Sequence, residues 1–276
     1  MGTYRYKYSN ILTESFLNQN DIKQLSHVEV ASILNIPIDP IIFYRKSFGL
    51  TTELADIQQR AEVLRCNPIP EWQYGFIIGT IFGDGNLDIN KNGSVRLRVH
   101  HSYKQQEYVK IKRLLLNNLC VQDIKYEMND VSCGFSTIQH PDLKCIYRMM
   151  YNEEKRKIVT EEALDRLSIL GLVFLFYDDG AFDKNSYWLS TCSFTLEEVK
   201  LIRYYFFKKF GIKTTPIQKS NGKTHYWYLY FAADTRHILS KYLSRFYVPY
   251  FKYKMHKEVL CSSETIRETF WLNIPK

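Results

Sequence analysis

Polar positions disappear from this chain in two helix-length runs, Gly75 to Gly85 and Leu170 to Gly180. Each is apolar until it ends on an acid followed by a glycine, at Asp84-Gly85 and Asp179-Gly180. In the first run Gly75, Gly79 and Gly83 recur every four residues. On a helix that spacing puts them on one stripe, where a second backbone can come close. Both runs are too short to cross a bilayer, so no membrane partner is expected. Two such runs predict two helices packed side by side that bring their acids to one place.

Upstream, residues 1–66 read as a small all-helical region. Ser26 and Glu29 form a capping box ahead of Val30, Ala31, Ile33 and Leu34. A turn at Asn35 to Pro40 follows, with Pro40 at the first position of a helix to Phe48, and Thr52 to Cys66 forms another. Helix, short turn, helix, with Arg45 and Lys46 on the second, resembles a helix-turn-helix DNA reader; a bundle used only for packing is the alternative. Asn67 to Pro70, with two prolines, reads as a linker.

From Glu71 the period switches between helix and strand. After the first glycine-striped helix, Asn86 to His101 alternates as a hairpin. Val95, Leu97 and Val99 face one way, and Arg96, Arg98 and His100 the other. An amphipathic helix (Tyr103 to Leu119), further strand (Ile124 to Gln139, turning at Asn129-Asp130) and helices at 141–151 and 161–167 complete the unit. From Ser168 the order repeats: helix to Tyr177, strands 181–192, helix 196–210, strands 214–231 turning at Ser220 to Gly222, helix 235–246. Asp84 matches Asp179 at an offset of 95, His101 matches Cys192 at 91, and Lys157 matches Lys254 at 97. The predicted fold is α+β: tandem αββαββα repeats over 71–167 and 168–276 forming a pseudo-two-fold β-saddle, plus the all-α region. On strand Tyr226 to Tyr230 the aromatic alternation is read as sheet packing.

Charge adds a partner class. The chain has 276 residues and a net charge of +8, all of it beyond residue 70, because residues 1–70 carry seven basic and seven acidic groups. A basic body with 21 Tyr and 17 Phe fits a polyanion, although charge alone fits an ordinary basic enzyme equally well. The six cysteines show no C-x-x-C pair and no zinc spacing, so reduced intracellular thiols are expected.

The chemistry follows from the acids. Asp84 and Asp179 brought together repel and raise each other's pKa, which a hard divalent cation relieves. Such ions clamp the attacking and leaving oxygens in phosphodiester hydrolysis. Lys157 and Lys254, at matching places, are the first candidates to stabilise developing charge. Asn86, His101, Gln105 and Gln106 are candidates to orient water or metal ligands, with plain surface polarity as the alternative for each.

On these two acid-ended runs, together with Leu189 to Val199 and Val248 to Lys254, the chain resembles the LAGLIDADG homing endonucleases of the single-chain, intron-encoded type over roughly residues 72–260. The resemblance implies a monomer that binds a long asymmetric double-stranded DNA site through the major groove and makes a double-strand break with short 3′ overhangs. It implies two or three Mg²⁺ ions shared between Asp84 and Asp179, with Gly83 and Asp178 at the metal site. Lys157 and Lys254 match the basic catalytic positions, with Arg156 a rival in the first repeat. Lys91, Arg96, Arg98, His100, Lys184, Lys219 and Lys223, and Arg45 and Lys46 upstream, would contact DNA. Phe174 and Asp178 stand where the second motif has small residues, and the glycine trench of the first helix is expected to absorb Phe174. Cys192 replaces a polar residue near the site. An RNA maturase holding intron RNA and a DNA-binding regulator remain alternatives on the same scaffold.

Overall fold

The computed structural model describes residues 7–23, 25, 27–50, 53–127, 131–183, 185–220, 222 and 225–256. Ser26, the Asn129-Asp130 turn, Lys184, Asn221, Lys223 and Cys261 lie outside them. The chain divides into two compact units, 1–66 and 67–276.

The first unit contains α1 (Glu14–Leu17), α2 (Asn20–Lys23), α3 (His27–Leu34), α4 (Ile38–Ser47) and α5 (Glu53–Arg65). Leu12, Leu17, Val30 and Ile41 make its core, with Phe16, Leu34 and Tyr44 packed around them. α4 starts at Ile38, so Pro40 occupies the third helical position instead of the first, where its missing N–H is equally harmless. Gly49, at φ 65°, ends the α4 segment in the left-handed conformation that glycine adopts freely.

The second unit is built from two repeats. The first runs α6 (Glu71–Phe82), β1 (Asn86–Ile89), β2 (Val95–Ser102), α7 (Gln106–Leu115), β3 (Lys125–Tyr126), β4 (Ser132–Ser136), α8 (Pro141–Met150) and α9 (Glu161–Arg166). The second runs α10 (Ile169–Asp179), β5 (Gly180–Asp183), β6 (Ser186–Ser190), α11 (Leu196–Phe210), β7 (Thr214–Ser220), β8 (His225–Phe231) and α12 (Arg236–Arg245). Each repeat forms one antiparallel four-stranded sheet with the same strand order, β1-β2-β4-β3 and β5-β6-β8-β7. Asn67 to Pro70, read as a linker, is packed onto this unit: the Ile69 N–H donates to Asp142 Oδ2 at 2.8 Å, and the Ile69 side chain is buried.

Local chemistry fixes the helix ends. Ser168 Oγ accepts the Gly171 N–H at the start of α10, and Thr195 and Glu198 form a capping box on α11. α6 and α10 cross through their small residues. A Cβ on Gly75 would come within 2.6 Å of Ser168, one on Gly79 would strike the Gly171 backbone, and one on Gly83 would come within 2.6 Å of Asp178. The trench is therefore filled by Ser168, Gly171 and Asp178, and not by the phenylalanines. Phe174 turns toward the first repeat, edge-on to Phe76 and stacked on Tyr108 at 5.4 Å. Phe176 turns into the second, edge-on to Tyr187 and Phe231. The helical period places Phe176 opposite 171 and 178, whereas Phe174, one turn from both, flanks the same seam and packs beside the crossing.

Candidate active site

The acids are delivered by the ends of the crossing helices. α6 stops at Phe82, so Asp84 lies beyond its last turn, whereas α10 runs through Asp178 to Asp179. The Asp84 side chain is 47% exposed. Burial, then Asp84, then Asp178 raise the Asp179 carboxyl to about 7, against the pull of Lys157 and Lys254.

Each lysine caps the helix of its own repeat. Lys157 Nζ donates to the Gly83 carbonyl at 2.9 Å, and Lys254 Nζ to the carbonyls of Tyr177 and Asp178 at 2.6 and 3.1 Å. Burial lowers the pKa of both ammonium groups; the three acids oppose this, led by Asp179 for Lys157 and by Asp178 for Lys254. Arg156, the rival, points elsewhere: its guanidinium grips both Glu198 oxygens at 3.1 and 3.2 Å.

Asp178 differs most from the sequence-based expectation. Its side chain is fully buried, and it already holds a cation, because Lys112 Nζ lies 2.8 Å from both its oxygens. The Tyr108 hydroxyl donates to Oδ1 at 2.7 Å, and Oδ2 accepts the Asp84 N–H at 3.3 Å. Asp84, His101 and Asp178 bring one potential metal-ligand atom each within 4.8 Å of one another. A divalent ion bound by Asp178 would have to displace the Lys112 ammonium. The Gly83 carbonyl likewise has Lys157 as a partner.

His101 is buried on the inward side of β2, with Nε2 at 3.2 Å from Lys112 Nζ and Nδ1 at 3.6 Å from Asp84 Oδ2. Burial and the Lys112 charge push its pKa down to about 3, against the Asp84 charge and a hydrogen bond to Gln105. Gln106 is half-buried. Asn86 is occupied outside this cluster, accepting from Tyr151 Oη at 3.1 Å and donating to Asp88 at 3.3 Å. The Cys192 thiol pairs with Ser190 Oγ at 3.2 Å.

Lys112 and Tyr108 carry no role in the sequence reading, yet a signal was there. Lys112 falls four residues after Tyr108 and three before Leu115, on the stripe that α7 buries.

The remaining candidates lie on the open faces of the sheets. β2 alternates buried and exposed along its whole length and displays Arg96, Arg98 and His100. The two arginines pair with Asp88 at 3.4 and 3.2 Å, and His100 with Glu127 at 3.2 Å. Lys91 is exposed in the β1–β2 turn. In the second sheet, Tyr226, Tyr228 and Tyr230 share a face with Lys219 and Trp188 and do not point into the core; Leu229 and Phe231 do. Lys219 Nζ lies over the rings of Trp188 and Tyr228 at 5.0 and 4.6 Å.

Arg45, expected to meet DNA, is an internal residue: it is 2% exposed and donates to the Leu25 and Ile22 carbonyls at 2.9 and 2.6 Å. It follows Ile41 by one helical turn, so the buried stripe of α4 carries it inward to satisfy carbonyls in the last turn of α2 and just beyond it. Lys46 remains exposed.

Known proteins resemble this chain, one in fold and others in sequence. The solved structure of the homing endonuclease I-WcaI bound to its DNA recognition sequence superposes with a TM-score of 0.61 at 18% identity, covering 77% of this chain and 97% of that one. Cytochrome b mRNA maturase bI2 of Debaryomyces hansenii is 26% identical over 218 residues, 75% of this chain and 82% of that protein. Protein RecA of Mycobacterium shimoidei is 31% identical over 142 residues, which span 49% of this chain but only 32% of that protein. The family model for the LAGLIDADG DNA endonuclease family matches residues 74–239. With that match extending over both acid-ended helices and both sheets, the chain belongs to the LAGLIDADG DNA endonuclease family.

Proposed function

We propose that this protein is a site-specific homing endonuclease that hydrolyses both strands of a long asymmetric DNA target and leaves short 3′ overhangs. The observation that carries this reading is the convergence of two acid-ended helices, each capped by a matching lysine, at one end of a tight glycine crossing. Asp84 and Asp179 fit Mg²⁺, because both offer hard carboxylate oxygens and Asp179 is held in an unfavourable electrostatic setting that a cation relieves. Asp84 and Asp179 would hold two or three divalent ions between them; when bound, these supply positive charge to the scissile phosphates and acidify water. Lys157 and Lys254 keep ammonium groups beside the acids, where they offset the negative charge that develops on phosphate oxygens. The open sheet faces bind the DNA, with Arg96, Arg98, His100 and Lys91 in the first repeat and Lys219 in the second. The protein acts as a monomer, since one chain carries both repeats. Residues 1–66 form a separate helical unit whose DNA contact rests on Lys46.

The test is a cleavage selection on a randomised plasmid library with Mg²⁺, comparing the parent with Asp84→Asn and Asp179→Asn. Cutting by the parent alone is expected. A parent that binds DNA or intron RNA but never cuts sinks the reading. RNA maturation is the second reading, favoured by the likeness to the bI2 maturase across three-quarters of this chain. Splicing of a group I intron stimulated equally by the parent and the Asp84→Asn variant would support it.

A further inference from the structure

The two acids are not held alike. Asp178 stands, at the offset of 95, where the first repeat has Gly83. Its buried carboxylate takes Lys112 on both oxygens at 2.8 Å and Tyr108 on Oδ1 at 2.7 Å. Through Oδ2 it also accepts the backbone N–H of Asp84 at 3.3 Å. The same Lys112 Nζ lies 3.2 Å from His101 Nε2. An ammonium has only protons to give, so Nε2 accepts and the imidazole proton sits on Nδ1, 3.6 Å from Asp84 Oδ2. Two routes therefore lead from Lys112 to Asp84, one to its main chain and one to its carboxylate.

Asp179 has neither route. The residue matching Asp178 is Gly83, which has no side chain. At the offset of 91, Cys192 stands for His101, Val199 for Tyr108 and Arg203 for Lys112. The Cys192 thiol is paired with Ser190, Val199 is a core residue and Arg203 is exposed. Duplex strands are related by a two-fold, as are the acids, so each acid lies nearest one strand.

We propose that Lys112 is a positioning residue for Asp84 alone, acting through Asp178 and His101, so that scission of the two strands depends on different residues. The inference rests on the nuclease reading. The test uses the full chain on a plasmid bearing its selected target, with each strand separately labelled, and follows the two scission rates alongside thermal unfolding. Lys112→Met combined with Asp178→Asn removes both buried charges together, so neither is left unpaired. Tyr108→Phe, which removes one hydrogen bond, is the gentler variant.

In the double variant the strand most sensitive to Asp84→Asn should slow by about ten-fold or more, as when a supporting partner of a metal ligand is lost. The other strand should keep its rate, so nicked circles accumulate. Tyr108→Phe should bias the same strand by a smaller factor. A purely structural role slows both strands in proportion, and that result overturns the inference. So does slowing of the strand sensitive to Asp179→Asn, or an unchanged strand ratio in Tyr108→Phe. A parent that cuts neither strand defeats the nuclease reading and this inference with it, a result distinct from the others.

Discussion

The two repeats share a strand order, yet they show solvent different chemistry. The open face of the first sheet is ionic, with Arg96 and Arg98 sharing Asp88 and His100 paired to Glu127. That of the second is aromatic, with Trp188, Tyr226, Tyr228 and Tyr230 and the Lys219 ammonium laid across two of the rings. Beneath the sheets the packing is alike: Leu87, Leu97 and Val99 in one and Tyr187, Leu189 and Leu229 in the other fill their cores. Core positions must fill a fixed volume and exclude unpaired polar groups, whereas an open face needs only to remain hydrated or meet a partner. A duplicated scaffold can therefore keep its sheet cores alike while its open faces diverge, which suits an asymmetric partner.

The largest expected effects are at the acids. Asp84→Asn or Asp179→Asn should lower double-strand cutting by about 10³-fold or more, each mainly through the strand nearest its acid, and the pair together should block both strands. Equal slowing of both strands by either single variant in a cleavage time course would mean that the two acids act as one unit. Next is the crossing: Gly79→Val forces a side chain into the Gly171 backbone and should cost about 3 kcal/mol or more in denaturant unfolding, with cutting abolished. A folded Gly79→Val protein that cuts at the parental rate refutes the packing account.

Smaller effects test the faces. Arg98→Ala should reduce the slope of log affinity against log salt by about 1, as expected when one phosphate contact is lost. Tyr228→Ala should weaken binding with the slope unchanged; equal slope changes would erase the ionic–aromatic contrast. Arg156→Ala loses an ion pair to a largely buried Glu198 and should cost about 1 kcal/mol of stability, while Lys157→Met lowers the cutting rate. The smallest change should follow deletion of residues 1–66, a charge-neutral unit whose Arg45 is internal; about ten-fold or less in affinity is expected. A larger loss would make this unit a main source of DNA affinity.

Much of the site was legible along the chain because its parts are local. A stripe of glycines four apart, an acid before a glycine, and a lysine repeated at a near-constant offset are short-range patterns, and the period rules convert them into helix ends and faces. Alternation on β2 likewise separated Arg96 and Arg98 from Val95 and Leu97. Lys112, Arg45 and Tyr228 were misjudged or missed for one reason. A period tells which residues share a face, but the partner of that face comes from elsewhere in the chain. Lys112 lies on a buried stripe that only an acid 66 positions away makes tolerable.

By itself, then, the sequence determined the duplicated αββαββα order and the glycine crossing, and it singled out four candidate groups, Asp84, Asp179, Lys157 and Lys254. Only the tertiary structure decided that Asp178 is a buried anion held by Lys112 and Tyr108, that His101 turns inward toward Asp84, and that Arg45 caps carbonyls instead of facing solvent. Burying a charge is costly unless a counter-charge and hydrogen bonds meet it, and whether they do depends on contacts between distant segments.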